Sequence, residues 1–511
     1  MKGIVILDFG SQYTQLIARR IREMGVYAEI AAFDISAEAL RAKDPLGVVF
    51  SGGPNSVFAD DAPLPDRSIL SLGVPVLGVC YGMQLMARLL GGRVVPGTER
   101  EYGRREIDLT LDDPLFAGLP PRLNVWMSHG DRVEALPAGF RAIASSPTCA
   151  FAAMSDVARR FYALQFHPEV VHTERGSDVL SHFVFDVCGC EKNWSLEDWA
   201  EHAVAEARAA IGDDEVVLGL SGGVDSSVVA VLLNRAVGKR LHCIYVDHGL
   251  GRFGEPEEVE RMFRDGVGLD LRIVRAAPSF FAALKGLSDP EAKRKAIGKT
   301  FVDVFADAAR DYRHCRYLAQ GTIYPDVIES KSPRKGPSQT IKSHHNVGGL
   351  PDDLSFELVE PLRELFKDEV RRVGRILGLP DALLDRQPFP GPGLGVRVLG
   401  EVTEEKVKIL QQADRRVQEE VRKLPNYREI WQTFAVLLPC RSVGVMGDQR
   451  TYDYTCVIRS VDSVDAMTAD WTRLPYETLA TMSSRIINEV RGINRVVYDI
   501  SSKPPATIEW E

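Results

Sequence analysis

Cysteine is sparse in this chain, and long apolar runs are missing. The eight cysteines are spread over 511 residues without regular spacing, which indicates reduced thiols in a cytosol rather than a disulfide framework. The N-terminal run MKGIVILDFG is too short for a signal peptide, and no apolar segment is long enough to span a bilayer. We therefore expect a cytoplasmic protein that does not insert into a membrane.

An excess of positive charge is also missing, because the formal net charge is −9 at pH 7. A general nucleic-acid surface is basic, so we expect no nucleic-acid partner. The sequence shows no internal repeat or low-complexity tract. A chain of this length is expected to form about two to four domains with ample core.

The stretch EVVLGLSGGVDSS, residues 215–227, carries the strongest functional signal. A short apolar strand runs into a Ser-Gly-Gly turn, and a helix pattern follows. Backbone N–H groups of such a turn, with the positive end of the helix dipole, bind anions. We expect Gly222 and Gly223 to take positive φ. A bare phosphate would repel Asp225, so this residue implies a bridging Mg²⁺. The alternative is an ordinary strand–helix turn with a serine cap.

This stretch resembles the pyrophosphate loop of the N-type ATP pyrophosphatases, which transfer AMP to an acceptor oxygen and release pyrophosphate. Asp225 would hold the Mg²⁺ that accompanies ATP. The resemblance implies contacts to ATP or pyrophosphate from Ser221, Gly222, Gly223, Val224, Asp225, Ser226 and Ser227. The Gly-Lys-Thr at 298–300 is not a Walker A loop, because Lys293 stands where that motif requires glycine.

Residues 1 to about 190 alternate apolar strands with helical patterns, which predicts an open α/β sheet with ligands at the carboxyl ends of the strands. The segment Gly78-Val79-Cys80-Tyr81-Gly82 joins such a strand to a helix and has the spacing of a nucleophile elbow. The glycines relieve crowding in the tight turn, and the helix N-terminus favours a thiolate. The N–H groups of Gly53 and Tyr81 are candidates for an oxyanion site.

A base for this cysteine is offered by the segment QFHPE, residues 165–169. If the segment is extended, His167 and Glu169 point to the same face, and the carboxylate can orient the imidazole. Taken singly, a free cysteine is usually a core residue, and a lone histidine is usually structural.

Together, Cys80, His167 and Glu169 resemble the triad of the class I glutamine amidotransferases over about the first 190 residues. The resemblance implies that Cys80 attacks the side-chain amide of glutamine, giving a thioester and ammonia. His167 would act as general base and acid, and Glu169 would orient it. Gln84 and Asp131 are candidate contacts for glutamine.

The middle of the chain offers further candidates for nucleotide binding. Arg252 follows the predicted strand 241–246 and could pair with a phosphate, or could be a solvated loop arginine. Residues 330–354 lack periodicity and carry several basic side chains, which predicts a lid over polyphosphate or, alternatively, a disordered loop. Within it Lys342 is the best candidate, in an IKSHHN pattern found in the guanosine monophosphate synthetases. Asp368 is that family's candidate acceptor contact or part of a charged solvent face.

Alternating prolines and glycines at 387–394 predict a domain boundary. Beyond it, apolar strands and helices predict a small α+β unit that serves as a homodimer interface or is a plain packed core. The tail 501–511 combines prolines with a tryptophan. In the guanosine monophosphate synthetases the matching tail enters the nucleotide acceptor site, which implies that Lys503 meets the phosphate and Glu509 the purine or ribose.

The likeness to the guanosine monophosphate synthetases covers essentially all 511 residues. It implies amination of xanthosine monophosphate (XMP) with ATP and glutamine, by an amidotransferase domain at 1–190, an ATP pyrophosphatase domain at 191–385 and a dimerisation and acceptor domain at 386–511. The predicted fold is α/β, with two doubly wound, mostly parallel sheets followed by a small α+β domain.

Three rival interpretations remain open. NAD synthetases and tRNA-thiolating enzymes share the Ser-Gly-Gly loop. The first usually take nitrogen from a nitrilase-type domain, and the second require a basic RNA face. A non-catalytic scaffold with degenerate sites is disfavoured by the intact triad and the intact loop.

Overall fold

The computed structural model describes residues 1–331, 356–446, 448–463, 466 and 468–511. The chain divides into two compact units. The first contains Met1–Trp199 and residues 328–331, and the second contains Ala200–Val327 and the described residues from 356 onward. The predicted domain boundaries near 190 and 385 stay predictions. Among the described residues, no helix combines the length and apolar character needed to cross a membrane.

The first unit is built on one mixed sheet flanked by helices. Its strands are β1 (Ile4–Asp8), β2 (Ala28–Ala32), β3 (Gly47–Phe50), β4 (Val76–Val79), β5 (Arg93–Leu109), β6 (Arg122–Ala135), β7 (Arg141–Ser145), β8 (Ala153–Asp156) and β9 (Phe161–Leu164). Its helices are α1 (Thr14–Glu23), α2 (Ala37–Ala42), α3 (Tyr81–Leu89) and α4 (Gly176–Ser181). The strand order is β2-β1-β3-β4-β9-β8-β7-β5-β6.

Half of this sheet is parallel, and half is antiparallel. Strands β2, β1, β3, β4 and β9 pair in parallel, and the pairs from β9 through β8, β7 and β5 to β6 are antiparallel. The parallel strands β3 and β4 are apolar and buried along their whole length, as expected of strands covered on both faces. The carboxyl ends of β3, β4 and β9 therefore meet at one edge, where the elbow and the QFHPE segment follow.

The second unit begins within α5 (Leu196–Ile211) and contains a parallel sheet of order β12-β11-β10-β13-β14. Its strands are β10 (Val216–Gly219), β11 (Leu241–Asp247), β12 (Asp270–Arg275), β13 (Tyr317–Ala319) and β14 (Glu357–Val359). Its helices are α6 (Val224–Val237), α7 (Glu255–Val259), α8 (Ala277–Leu284), α9 (Pro290–Ala309), α11 (Lys367–Ile376) and α12 (Asp381–Leu384). Helix α10 (Tyr324–Lys331) begins in this unit. The Ser-Gly-Gly turn leaves the carboxyl end of the central strand β10.

The last part of the second unit is an α+β layer. It consists of α13 (Glu404–Val421), β15 (Gln432–Met446), β16 (Gln449–Asp462), β17 (Asp470–Trp471), α14 (Tyr476–Glu489) and β18 (Ile493–Asp499). Strand β16 pairs antiparallel with β15 and β17 and parallel with β18. Its core is continuous with that of the parallel sheet, because Val217 and Phe280 belong to the same buried cluster as Val417 and Ile486. The predicted fold class is confirmed.

Candidate functional site

The turn between β4 and α3 holds Cys80 in a backbone conformation that L-residues rarely adopt. Its φ is +52° and its ψ is −103°, and such a conformation costs on the order of 1–3 kcal/mol. The glycines on either side allow the chain to pass. A Cβ on Gly78 would lie 2.7 Å from the carbonyl of Gly82, and a Cβ on Gly82 would lie 2.3 Å from the carbonyl oxygen of Phe50. The prediction that these glycines relieve crowding is confirmed.

The structure brings the three predicted triad residues together. His167 Nδ1 lies 2.7 Å from Glu169 Oε1, and both side chains are buried. The thiol of Cys80 donates to the carbonyl oxygen of Ser128 at 3.4 Å. The segment pairs with β6 through a bridge between Phe166 and Met127 and then turns, so that the imidazole and the carboxylate meet across the turn.

Glu169 controls the protonation of His167. Burial lowers the pKa of this histidine, but the charge of Glu169 and hydrogen bonding with Cys80 and Glu169 outweigh burial and hold the pKa well above its ordinary value. The second carboxylate oxygen of Glu169 is buried and has no hydrogen-bond partner, so the carboxylate is directed at the imidazole alone. The ring of Tyr13 meets the imidazole edge-on, with 5.1 Å between centroids. The arrangement can store a proton on His167 beside the thiol.

The loop after β3 reaches the same edge of the sheet. A Cβ on Gly52 would lie 3.1 Å from His167 Cε1, and one on Gly53 would lie 3.3 Å from the ring of Tyr81. Tyr81 is the first residue of α3, where a backbone N–H has no acceptor within the helix. Gly53 and Tyr81 therefore lie together next to the triad, and their role as oxyanion donors stays a prediction.

Gln84 and Asp131, the predicted glutamine contacts, are neighbours. Gln84 Nε2 donates to the backbone oxygen of Asp131 at 2.8 Å, and Asp131 Oδ2 accepts from Ser56 Oγ at 2.5 Å. Gln165 adds an amide that lies 3.8 Å from Cys80 Sγ and 3.4 Å from Gln84 Nε2. Sequence reasoning missed Ser56. The Ser-Gly-Gly-Pro turn at 51–54, just before this residue, was the signal that could have pointed to it.

In the second unit, the turn after β10 departs from its prediction at one position. Gly222 has φ +74°, as expected, but Gly223 has φ −77° and ψ 165°. The prediction of positive φ at Gly223 is wrong because this residue is the N-cap of α6, which requires extended backbone before the helix begins at Val224.

The serine hydroxyls of this turn bond within the loop. Ser226 Oγ lies 2.9 Å from Ser221 Oγ and accepts from the Ser221 N–H at 3.2 Å. Ser227 Oγ donates to the carbonyl oxygen of Gly223 at 2.6 Å. These bonds hold the conformation of the turn at the N-terminus of α6. Their contact with ATP stays a prediction.

Asp225, in the first turn of α6, has one carboxylate oxygen that is buried without a hydrogen-bond partner. The other lies 3.4 Å from the ammonium of Lys367, the first residue of α11. An orphaned buried carboxylate oxygen is uncommon and suits a hard cation such as Mg²⁺. Sequence reasoning missed Lys367, which is 142 positions away and has no local pattern to mark it.

Comparison with known families gives one match for each part of the chain. The class-I glutamine amidotransferase model matches residues 5–187, the NAD synthase model matches residues 194–250, and the model of the GMP synthase C-terminal domain matches residues 419–510.

Curated relatives match over the whole length. Glutamine-hydrolysing GMP synthase of Maridesulfovibrio salexigens is 58% identical over 510 residues, covering 99% of each chain. Those of Histophilus somni and Brachyspira hyodysenteriae are 56% and 54% identical, and each covers 99% of this chain and 98% and 99% of its own. The chain belongs to the family of glutamine-hydrolysing GMP synthases. It is an enzyme of the ligase class. The match to the NAD synthase model covers only residues 194–250, which include the Ser-Gly-Gly turn.

In this member of the GMP synthase family, a cavity of about 540 Å³ opens at the carboxyl end of β11 and is lined by Asp247 and Arg252, among other residues. The guanidinium of Arg252 lies 3.2 Å from Glu255, donates to the carbonyl oxygen of Gln387 at 3.1 Å and stacks 4.1 Å from the ring of Phe389. The alternative of a solvated loop arginine is therefore wrong.

The C-terminal segment of this GMP synthase lies against the same neighbourhood. Glu509 binds Arg397 through both carboxylate oxygens, at 2.8 and 3.0 Å. The Arg397 guanidinium lies 4.0 Å from the ring of Phe434 and 5.1 Å from that of Phe389, which it shares with Arg252. The structure thus brings together two of the predicted XMP contacts, Arg252 and Glu509.

The remaining predicted nucleotide contacts are Lys503, Asp368 and Lys342. The ammonium of Lys503 donates a hydrogen bond to the carbonyl oxygen of Ala466 at 2.8 Å. Asp368 is in the first turn of α11 and directly follows Lys367, the residue that pairs with Asp225. Lys342 lies outside the described residues. The roles of these residues as nucleotide contacts stay predictions.

Proposed function

We propose that this chain makes GMP from XMP, using ATP to activate XMP and glutamine as the nitrogen donor. The observation that carries the proposal is the pairing of a buried cysteine triad with an ATP-type loop on a chain that is 58% identical to a GMP synthase along its whole length. Each of the two reactions has its own site at the edge of a sheet, at a point where a strand runs directly into the N-terminus of a helix.

At the first site, the thiolate of Cys80 attacks the carbonyl carbon of the glutamine side-chain amide. The developing oxyanion accepts from the N–H groups of Gly53 and Tyr81. His167, whose raised pKa keeps its proton available, protonates the nitrogen, so ammonia leaves and a thioester remains. Water, deprotonated by His167, then hydrolyses the thioester to glutamate and restores the thiol.

At the second site, the C2 oxygen of XMP attacks the α-phosphorus of ATP and expels pyrophosphate, giving an adenylyl-XMP intermediate. The amides of Gly222 and Gly223 and the dipole of α6 stabilise the leaving pyrophosphate. Ammonia then attacks C2 of the purine and displaces AMP, because the adenylyl group turns a poor leaving oxygen into a good one.

Asp225 would hold the Mg²⁺ that accompanies ATP, and its unpartnered carboxylate oxygen fits that role. The bound ion supplies positive charge that neutralises the pyrophosphate oxygens. Lys367 already neutralises the second oxygen of the same carboxylate, so it would orient Asp225 toward the ion. Among the remaining candidates, Arg252 and Glu509 would contact XMP from the neighbourhood around Phe389, whereas Lys342, Asp368 and Lys503 would act from other segments.

We place this enzyme in the cytoplasm and propose that it forms a homodimer through the C-terminal sheet. Strands β15 and β16 expose apolar side chains, among them Val443, Val445 and Tyr452, of which Val445 is 74% exposed. An exposed apolar patch on a paired hairpin indicates an association surface. Light scattering coupled to size exclusion should give twice the chain mass, and Val445→Asp should halve it; a monomeric wild type would contradict the proposal.

The activity test is to incubate the protein with ATP, glutamine, Mg²⁺ and XMP and to follow GMP, AMP and pyrophosphate. Cys80→Ala should abolish glutamine-dependent synthesis and leave synthesis with added ammonia intact. Absence of GMP from the wild type under both nitrogen sources would reject the proposed function, and loss of both activities in the variant would reject the division between the two sites.

A further inference from the structure

The amino-terminal edge of the parallel sheet, opposite the Ser-Gly-Gly turn, carries a cluster of metal-type ligands. Glu215 directly precedes β10, His242 is the second residue of β11, and His314 and Cys315 precede β13. Strands β11, β10 and β13 are adjacent and parallel, so their amino ends meet at this edge. The site chemistry described above uses none of these residues.

The four side chains converge on one point. Glu215 Oε2 lies 2.9 Å from His242 Nε2, 2.8 Å from His314 Nε2 and 3.9 Å from Cys315 Sγ. All four donor atoms lie within 4.8 Å of one another. Ligands at about 2.0–2.3 Å around a tetrahedral zinc ion stand about 3.5 Å apart, so side-chain shifts of about an ångström would complete the coordination.

The surroundings of His242 have the form expected around a metal ligand. Its Nδ1 lies 2.6 Å from Asp270 Oδ2, which leaves Nε2 directed at the cluster. A carboxylate on the far nitrogen fixes the tautomer and orientation of a metal-bound histidine. The ring of Tyr312 lies 5.0 Å from that of His242 and limits its rotation.

Solvent access to the cluster and the types of its ligands also fit a metal site. Cys315 is buried, whereas the side chain of His314 is 58% exposed and that of Glu215 is 37% exposed. An ion can therefore enter from solvent past these two side chains and bind the thiol. Two imidazoles, a thiolate and a carboxylate form a donor set that zinc prefers over magnesium or calcium. Four protein ligands leave no open position for catalysis.

We propose that Glu215, His242, His314 and Cys315 form a structural zinc site that ties together the amino ends of three strands of the nucleotide-binding sheet. This site is separate from the Mg²⁺ site at Asp225, which lies near the opposite ends of the strands. Its role is to hold β13 and the turn before it in register with β10.

The first measurement uses the full-length chain carrying Cys80→Ala, so that the triad thiol cannot bind the probe. After equilibration with Zn²⁺ and removal of free ion, elemental analysis should find one zinc per chain. Titration with Co²⁺ should give the visible absorption of tetrahedral cobalt together with a charge-transfer band from sulfur.

Variants then assign the site. His314→Ala, at an exposed position, should weaken zinc binding at least tenfold, and Cys315→Ser should remove the sulfur band. The matched control is His202→Ala, because His202 also pairs with a glutamate at 2.9 Å but has no cysteine beside it. It should bind zinc as tightly as the parent does. Zinc should raise the Tm of the parent and of this control and leave that of His314→Ala unchanged.

Two results would overturn the proposal. One is a parent protein that retains no zinc, in which case the four side chains form an ion-pair network only. The other is a sulfur band that survives Cys315→Ser and disappears with Cys149→Ser, which would move the ion to the buried cluster of Glu101, His129 and Cys149.

Discussion

Replacing Glu169 by glutamine keeps the shape of the side chain and removes its charge. Glu169 is fully buried, with Oε1 2.7 Å from His167 Nδ1. Burial lowers the pKa of His167, and the charge of Glu169 is the largest contribution that opposes it. The amide can still accept a hydrogen bond from the imidazole, so the variant isolates the effect of charge from that of orientation.

The size of the effect follows from this buried, charged hydrogen bond. Such a bond contributes about 1.5–3 kcal/mol, and about 1.4 kcal/mol corresponds to a tenfold change in rate. Glu169→Gln should therefore lower kcat for glutamine hydrolysis by about 10- to 150-fold. Because the pKa of His167 should fall in the variant, the alkaline limb of the pH–rate profile should move to lower pH.

The assay follows glutamate release across a pH series, with GMP formation from added ammonia measured in parallel. The matched control is Glu101→Gln, because Glu101 is also buried and lies 2.9 Å from a histidine, His129. That control should leave kcat within about threefold. The reasoning is refuted if Glu169→Gln keeps full glutaminase activity, or if Glu101→Gln reduces kcat as much.

Three further outcomes are expected. Gly222→Ala should reduce ATP-dependent GMP formation about 5- to 30-fold without changing glutaminase activity, because φ is +74° and a left-handed L-residue costs about 1–2 kcal/mol. Gly223→Ala, at φ −77°, should retain more activity, and equal losses in the two variants would contradict this reasoning. Glu509→Gln should lower the free energy of unfolding in urea by about 3 kcal/mol, since it leaves the buried charge of Arg397 without its partner. An unchanged urea midpoint would show that the Glu509–Arg397 pair does not contribute to stability. The folded-state pKa of His167 is raised, so its contribution to stability is complete below about pH 6.5 and is lost as the pH rises through the folded-state pKa. The gap in unfolding free energy between wild type and His167→Ala should therefore narrow above about pH 6.5, and a gap that widens would contradict the shift.

Apolar strands and their turns were predictable from sequence because they are buried on both faces. Strands β4 and β10 lie where the sequence predicts a strand, directly before the elbow and directly before the Ser-Gly-Gly turn. The antiparallel half of the first sheet was missed, because β5 carries the charged run REYGRREIDL. Strand β15 runs to Met446 although Pro439 interrupts it, since a bulge between Leu437 and Arg441 lets the chain pass the proline without losing the pairing.

The residues of the candidate sites were also predictable only where a local motif marks them. Cys80 and Gly222 could be selected from sequence because the small residues around them predict a turn directly before a helix. Lys367 was missed because its contact with Asp225 joins distant segments. For the predicted XMP contacts, family likeness assigns roles to positions without reporting the distances between them.

The backbone of Cys80 has a consequence for protein engineering. Its φ and ψ of +52° and −103° are the mirror image of an ordinary extended conformation, which glycine adopts freely. A library at this position that is screened for heat resistance alone should therefore enrich glycine and discard the nucleophile. Directed evolution of this chain needs a turnover screen from the first round.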